Sequence, residues 1–514
     1  MKPRTAIVLL VIALAGWAAV LLWEKDLPGT EERLEKAGLL LPQVDRDAVR
    51  RVEIRRPDQA ILLEREDTGK DTRPRWRLRE PIEDRADGSA VDSLLSDLLE
   101  TKERSSVAPG ELAASEEEAG LGKEAIHVIL AGEGFRHELV VSGKPLPGGL
   151  RYVRVDGTGP LHLVGGGLAD AVTRPVDELR DRQLLGDVST VDVASLDVLE
   201  DGKRTLSFVR REGDDWWIVA PIEDDADNTL VGDLVSRVTG ARAERFVDDP
   251  PGPDGEIGLD PPAYAFRAAL RSPREGTVEL QLGDETPSGA GRRWAAVPGR
   301  PGRFEVYAAT ILGLLDRDPD DWRSRLALDY SAWDVLEFDL ERDGTKLTVS
   351  RVEDGSAPEK WVPLEPADFP LDPDAADRLV QDLARTEVVR LAPGTDPVRV
   401  GLDHPVARLV IRRREPERFP DLVLEIGDPA GEGGCWARRV GRSVPFVIRA
   451  ETAARIDPRR LRRAPEEDGD ASPGEAGGKE GGTDSATRPA KEPGNPGSPS
   501  PRPAETPPPS AEDR

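Results

Sequence analysis

Trp76-Arg77-Leu78-Arg79-Glu80-Pro81-Ile82-Glu83-Asp84-Arg85-Ala86-Asp87 returns 140 residues later as Trp216-Trp217-Ile218-Val219-Ala220-Pro221-Ile222-Glu223-Asp224-Asp225-Ala226-Asp227. Over Trp76–Leu98 against Trp216–Val238, 10 of 23 positions are identical. A third, weaker copy keeps the frame 145 residues further on, as Trp361-Val362-Pro363-Leu364-Glu365-Pro366 and then Asp372. Self-similarity at so long an offset means tandem domains, not a short-period solenoid.

The pattern around each copy repeats as well. Alternating segments precede the Trp. Val193–Leu199 and Thr205–Val209 flank Asp201-Gly202, and Val335–Leu340 and Lys346–Val349 flank Asp343-Gly344. Asp-Gly between alternating strands predicts a hairpin. Copy one has Pro57-Asp58 in that place. After the Trp strand, Val91, Leu94, Leu95, Leu98 and Val231, Leu234, Val235, Val238 follow the spacing of a helix packed on one side. The second half of each copy opens on Gly120-Leu121, Gly258-Leu259 or Gly401-Leu402. Strands ending at Gly143, Gly283 and Gly427 come next, then an aromatic strand, a further strand and a second helix. Each copy therefore reads as an antiparallel sheet plus helices, an α+β unit. The expected domains are 44–187, 188–330 and 331–463.

The ends differ from the repeats. Thr5 to Trp23 carries no charge, and as a helix these 19 residues span about 28 Å, close to a bilayer's hydrocarbon thickness. Lys2 and Arg4 precede the run, so the expectation is a single-pass anchor over 1–23 with the rest of the chain outside the cytoplasm. A cleaved signal peptide is the competing reading, because Ala13-Leu14-Ala15 has a peptidase-like form. The apolar run continues eight residues beyond it, which favours the anchor. Residues 24–43 read as a charged connector. Residues 464–514 hold 11 Pro, 8 Gly and no Leu, Ile, Val, Phe, Trp or Tyr, so they are expected to form a disordered tail.

Composition narrows the functions. With 71 basic and 98 acidic side chains the net charge is −27, which excludes a general nucleic-acid binder. One cysteine, Cys435, excludes an intrachain disulfide framework and every multi-cysteine metal site.

Several residues invite a functional reading. Asp87, Asp227 and Asp372 each stand before a helix, which predicts N-caps in preference to a repeated ligand site. Glu83-Asp84 and Glu223-Asp224, with Asp368 in copy three, could bind a hard cation, but they lack the spacing of a calcium loop and read as solvated turns. His127, His137 and His162 would need one common face to bind a metal. Neither His127 nor His137 has a counterpart in the other copies, and structural roles are expected. Cys435 reads as packing. Gly165-Gly166-Gly167 superficially suits a phosphate cradle but lacks the accompanying Lys, so a hinge or turn is expected. Trp76, Trp216 and Trp361 read as core in preference to a glycan platform, in a chain with 4% aromatics. Arg455, Arg459, Arg460, Arg462 and Arg463 read as a solvated helix end in preference to a partner patch. No catalytic, cofactor or metal residue is assigned, and no enzyme activity is expected.

The apolar N-terminal run, the hairpin leading to Trp-x4-Pro, the Gly-Leu openings and Leu179-Arg180-Asp181-Arg182-Gln183-Leu184-Leu185 together resemble the bacterial domain-of-unknown-function family 4340. The resemblance covers residues 1–463; the acidic tail lies outside it. It implies an envelope protein encoded beside ABC-transport components of the gliding-motility-auxiliary type, and it carries no catalytic residues over. The expectation is a non-enzymatic, inner-membrane-anchored, extracytoplasmic (periplasmic) accessory or scaffolding subunit. Its partners would be a membrane complex of ABC-transporter type, with no cofactor and no nucleic acid. The alternative is a module that binds an envelope polymer such as peptidoglycan or polysaccharide.

Overall fold

The computed structural model describes residues 38–66, 75–109, 111–112, 115–157, 159–211, 214–250, 252–354, 357–442 and 444–463. The expected anchor, most of the connector and the expected tail lie outside the described residues. Among the described residues no helix is long and apolar enough to cross a membrane.

The first repeat runs β1 (Val49–Arg55), β2 (Ala60–Glu66), β3 (Arg75–Glu80) and β4 (Asp84–Arg85), then α1 (Gly88–Leu99). Its second half adds β5 (Glu103–Val107), β6 (Ile126–Gly132), β7 (Phe135–Val141), β8 (Arg151–Val155), β9 (Leu161–Val164) and α2 (Gly166–Thr173). The second repeat has β10 (Val193–Glu200), β11 (Lys203–Arg210), β12 (Trp216–Ala220), β13 (Asp224–Asp225) and α3 (Asn228–Thr239). It continues with β14 (Arg245–Val247), β15 (Tyr264–Leu270), β16 (Gly276–Glu285), β17 (Arg292–Ala296), β18 (Arg303–Tyr307) and α4 (Ala309–Leu315). The third comprises β19 (Val335–Arg342), β20 (Thr345–Asp354), β21 (Ala357–Glu365) and α5 (Pro373–Leu383). Then follow β22 (Arg390–Leu391), β23 (Ala407–Arg413), β24 (Leu422–Gly431), β25 (Gly434–Arg439), β26 (Phe446–Arg449) and α6 (Ala450–Arg455).

The three sheets share one order. The first is β4-β3-β2-β1-β6-β7-β8-β9-β5 and the second is β13-β12-β11-β10-β15-β16-β17-β18-β14. The third, β21-β20-β19-β23-β24-β25-β26-β22, omits only the two-residue edge strand. All pairings are antiparallel, so the expected α+β class holds, weighted towards β.

Local chemistry explains the match. Asp201-Gly202 and Asp343-Gly344 adopt positive φ at both residues, as a two-residue hairpin turn of matching twist requires. Asp87, Asp227 and Asp372 each accept two backbone N–H bonds at the start of α1, α3 and α5, as expected of N-caps. Val91, Leu94, Leu95 and Leu98 are buried on one face of α1, and Val231, Leu234, Val235 and Val238 on one face of α3. The Gly-Leu openings need glycine for two reasons. Gly258 and Gly401 sit at φ 70° and 72°, and a Cβ there would lie 2.7 Å and 2.8 Å from the carboxylates of Asp284 and Asp428.

Each repeat has its own apolar core. The cores hand over inside the connecting segments: Leu184 and Leu185 pack in the second core, and Ala327, Leu328 and Tyr330 in the third. The repeated tryptophans are buried core residues, at 6%, 3% and 4% exposure. Arg210 stacks 4.3 Å above Trp216 and Arg351 4.6 Å above Trp361, which leaves neither ring open as a platform.

Candidate functional site

The strongest convergence of charged groups lies between the repeats. Asp84 on β4 is 1% exposed and Asp224 on β13 is 0% exposed. Each is the second member of an acidic pair that reads as a solvated turn. Glu83, Glu223 and Asp368 are exposed as that reading expects, but the structure corrects it for Asp84 and Asp224. The strand after the Pro turns inward, and the segment leaving the repeat covers it: Ala86 bridges Arg180 and Ala226 bridges Arg323.

Each buried carboxylate is saturated. The Asp84 carboxylate accepts from its neighbour's N–H (Arg85, 2.8 Å) and from Arg180 Nε at 3.0 Å. It also accepts from Arg300 Nε at 2.8 Å and Arg300 Nη2 at 3.1 Å. Asp224 repeats the pattern with the N–H of Asp225 at 2.8 Å, Arg323 Nη1, Arg442 Nε at 2.9 Å and Arg442 Nη2 at 3.3 Å. In each set the Asp and one Arg belong to one repeat and the second Arg belongs to the next. These are inter-repeat joints.

The second Arg also fastens the connecting segment. Arg300 Nη1 donates to Gln183 O at 3.0 Å, and Arg442 Nη1 to Leu326 O at 3.1 Å. That segment adds to both sheets. Asp181 N donates to Arg85 O at 3.0 Å behind it, and Leu184 N to Ala241 O at 2.9 Å ahead of it. The same two bonds recur as Ser324 N to Asp225 O (2.8 Å) and Ala327 N to Thr386 O (2.7 Å). One anion facing two cations leaves a buried excess charge, which other carboxylates offset. Asp248 lies 3.0 Å from Arg180, and Asp320 lies 2.7 Å from Arg323.

The surroundings shift neighbouring groups. Burial first, then Arg442, pushes Arg439 down to about 10, where it stays charged at neutral pH. Burial and then Arg300 lower Arg85. A buried carboxylate that already accepts four hydrogen bonds has no free lone pair directed at solvent, so it cannot serve as a base or as a ligand to an incoming cation.

The other singled-out residues do not converge on a site. His127 lies 2.9 Å from Glu138, His137 2.9 Å from Asp156 and His162 2.6 Å from Glu103. Each His has its own carboxylate, supplied from across the sheet and not by a sequence neighbour: Glu138 on β7, Asp156 just past β8 and Glu103 on β5. Among the described residues no group of His, Cys, Asp and Glu is arranged to hold a metal. Cys435 packs against the third core, and burial raises its thiol pKa. Gly165 is the N-cap of α2 and Gly166-Gly167 begin the helix, so the triplet forms a helix start and not a hinge. Arg455, Arg459, Arg460, Arg462 and Arg463 are exposed. Arg455 pairs with Asp382, and Arg459 with Asp343 at 2.9 Å and with Asp457.

The comparisons agree with the repeat frame. A family model described as a domain of unknown function, DUF4340, matches twice, over residues 76–262 and 216–405. Both matches begin on a repeated Trp, and each runs on from one repeat into the next. No curated protein and no solved structure gives a significant match. With its two matches together spanning more than half of the sequence, the chain belongs to the DUF4340 family of domains of unknown function.

Proposed function

We propose that this protein is a non-enzymatic scaffolding or accessory subunit. Residues 1–23 would hold it in the inner membrane, the repeats would stand outside the cytoplasm, and the partner would be a membrane complex of ABC-transport type. The joints carry the scaffold part of this reading. A catalytic site needs titratable groups open to a cleft, whereas the most convergent charges here are sealed and spent on holding one repeat against the next. Such joints fit a protein whose task is to keep repeats, and whatever they touch, at set positions. The apolar run Thr5–Trp23 with Lys2 and Arg4 supports the anchor and its orientation. The transport link rests on the family resemblance.

Cross-linking of the full chain in intact membranes tests this. The expected result is co-purification with ABC-type membrane components, lost in an Asp84→Asn/Arg300→Met variant that still resides in the membrane. Recovery of the chain alone, or protection of the repeats from protease until the cytoplasm is opened, would sink the proposal. One observation favours the second reading, envelope-polymer binding: Trp333 is 78% exposed, with the Arg351 guanidinium 6.0 Å from its ring. Co-sedimentation with peptidoglycan that is lost in Trp333→Ala would shift the balance to it.

A further inference from the structure

The joint has two halves, and they are not distributed evenly. The acceptor half is an Asp eight residues after the repeated Trp: Asp84 and Asp224. In the third repeat that position is Phe369, which packs against its own core. The donor half is an Arg four residues before a buried Phe on the penultimate edge strand: Arg300 before Phe304 and Arg442 before Phe446. In the first repeat His162 holds the Phe position, and the residue four before it in the sequence is Thr158, not Arg. The correspondence is set by register, since Phe246 pairs with Phe304, Leu391 with Phe446 and Ser106 with His162. Thus the first repeat has only the acceptor half, the third only the donor half, and the second both.

The two outer faces are finished in other ways. At the first repeat, Gly38–Leu40 occupies the sheet edge that a connecting segment fills elsewhere. Leu40 N donates to Thr101 O at 3.2 Å and Glu103 N to Gly38 O at 2.8 Å. These bonds repeat those of Leu184 with Ala241 and of Ala243 with Arg182. The apolar Phe pair of the second repeat becomes Ser106 and His162, the latter held by Glu103. At the third repeat, Arg462 takes the backbone place of Arg180 and Arg323, bridging Leu371. Arg180 and Arg323 are 1% and 4% exposed, but Arg462 is exposed and lies 5.5 Å over the Phe369 ring.

We propose that the first and third repeats are end caps. The split Asp–Arg joint acts as a directional docking code, and the chain is built to hold three units in series and to refuse a fourth, including a second copy of itself. Repeat arrays need terminal units whose outer faces do not invite further stacking. At a third-to-first junction Phe369 would stand in the Asp place and Thr158 in the Arg place, so the Asp–Arg pairing that holds each joint is missing altogether. Docking there would bury Arg462 with no carboxylate in the Asp84 position to receive it, which blocks head-to-tail growth. The inference concerns what the array can add, and it does not depend on which partner the protein serves.

Sedimentation velocity on the full chain in detergent tests the code. The native chain should run as one species whose size is unchanged over a hundredfold range of concentration. A Phe369→Asp/Thr158→Arg chain, with both halves restored, should associate head to tail as concentration rises, and neither single variant should do so. A folded double variant that stays the native size overturns the proposal, as does concentration-dependent association of the native chain. Because Phe369→Asp removes core packing, a second comparison uses duplications. Inserting a second copy of residues 183–325 after residue 325 should give a chain that melts in one transition. Appending a second copy of residues 326–463 after residue 463 should give a repeat that melts separately. If both duplications dock equally well, the caps do not exist.

Discussion

The two joints use the same Asp and the same pair of Arg positions but differ one residue away. In the first joint the residue after Asp84 is Arg85, which donates to Leu184 O at 2.8 Å and pairs with Asp181 at 3.2 Å. In the second it is Asp225, which pairs with Arg439 of the third repeat and lies 3.5 Å from Arg442. The neighbour has reversed its charge and its partner, while the central carboxylate keeps the same four donors. The central Asp is thus the fixed part of the design, and the flanking charge is free to vary as long as some opposite group meets it. The first joint also stacks Arg180 on Phe246 at 4.0 Å, where the second has Leu391.

The largest expected effect comes from removing the central anion. Asp84→Asn leaves Arg300 with no carboxylate, since its other acceptors are the carbonyls of Gln183 and Asp181. Breaking a buried pair in this way costs about 3–5 kcal/mol. Asp224→Asn should cost less, because Arg442 keeps Asp225. Denaturant unfolding of the two variants checks the order, and an equal or reversed order would show that the flanking charge does not share the load. Next in size, Phe246→Leu makes the first joint resemble the second and should cost about 1–2 kcal/mol, from lost stacking and packing under Arg180. No change in stability would mean that the stack is incidental.

The N-caps sharpen the comparison from within the repeats. Asp87→Ala and Asp227→Ala should each cost about 1 kcal/mol and by similar amounts, because both caps make the same two bonds and neither reaches across a joint. Their effect should be additive with Asp84→Asn or Asp224→Asn to the extent that cap and joint are separate, and a double-mutant cycle measures that. The smallest effect is at the exposed link Arg75–Asp187–Arg274, with distances of 3.0 Å and 3.1 Å. All three side chains are solvent-accessible, so Asp187→Asn should move stability by less than about 1 kcal/mol, and moderate salt should erase the difference. A larger loss would place this surface link among the true supports of the first joint.

The repeat frame, the hairpins, the helix faces and the caps were legible because each depends on neighbours close in sequence. Asp201-Gly202 specifies its own turn, and Asp227 meets N–H groups two and three residues on. The joint was not legible as a whole, although its parts were in view. Glu83-Asp84 and Glu223-Asp224 stood inside the most similar stretch, and Arg180 inside the Leu179–Leu185 motif. Arg300 lies 216 residues from Asp84, and Arg442 lies 218 from Asp224. A signal did exist: an Arg four residues before a Phe in the second and third copies only, matched by an Asp in the first and second only. The histidines show the same limit on a smaller scale, since Glu138, Asp156 and Glu103 reach them from adjacent strands.

By itself, then, the sequence determined that this chain holds three related units of antiparallel sheet and helix, with an apolar run before them and a Pro/Gly-rich acidic stretch after them. Periodicity, turn chemistry and capping act over a few residues, and a pattern that recurs at a fixed offset carries that local information three times. Only the tertiary structure decided that Asp84 and Asp224 are buried, and which Arg from the next repeat each receives. Burial of a charge is decided by what covers it, and here the cover arrives from a segment about 100 residues downstream and from the following repeat. The same surface-exposed sequence pattern, without that cover, would have been a solvated turn.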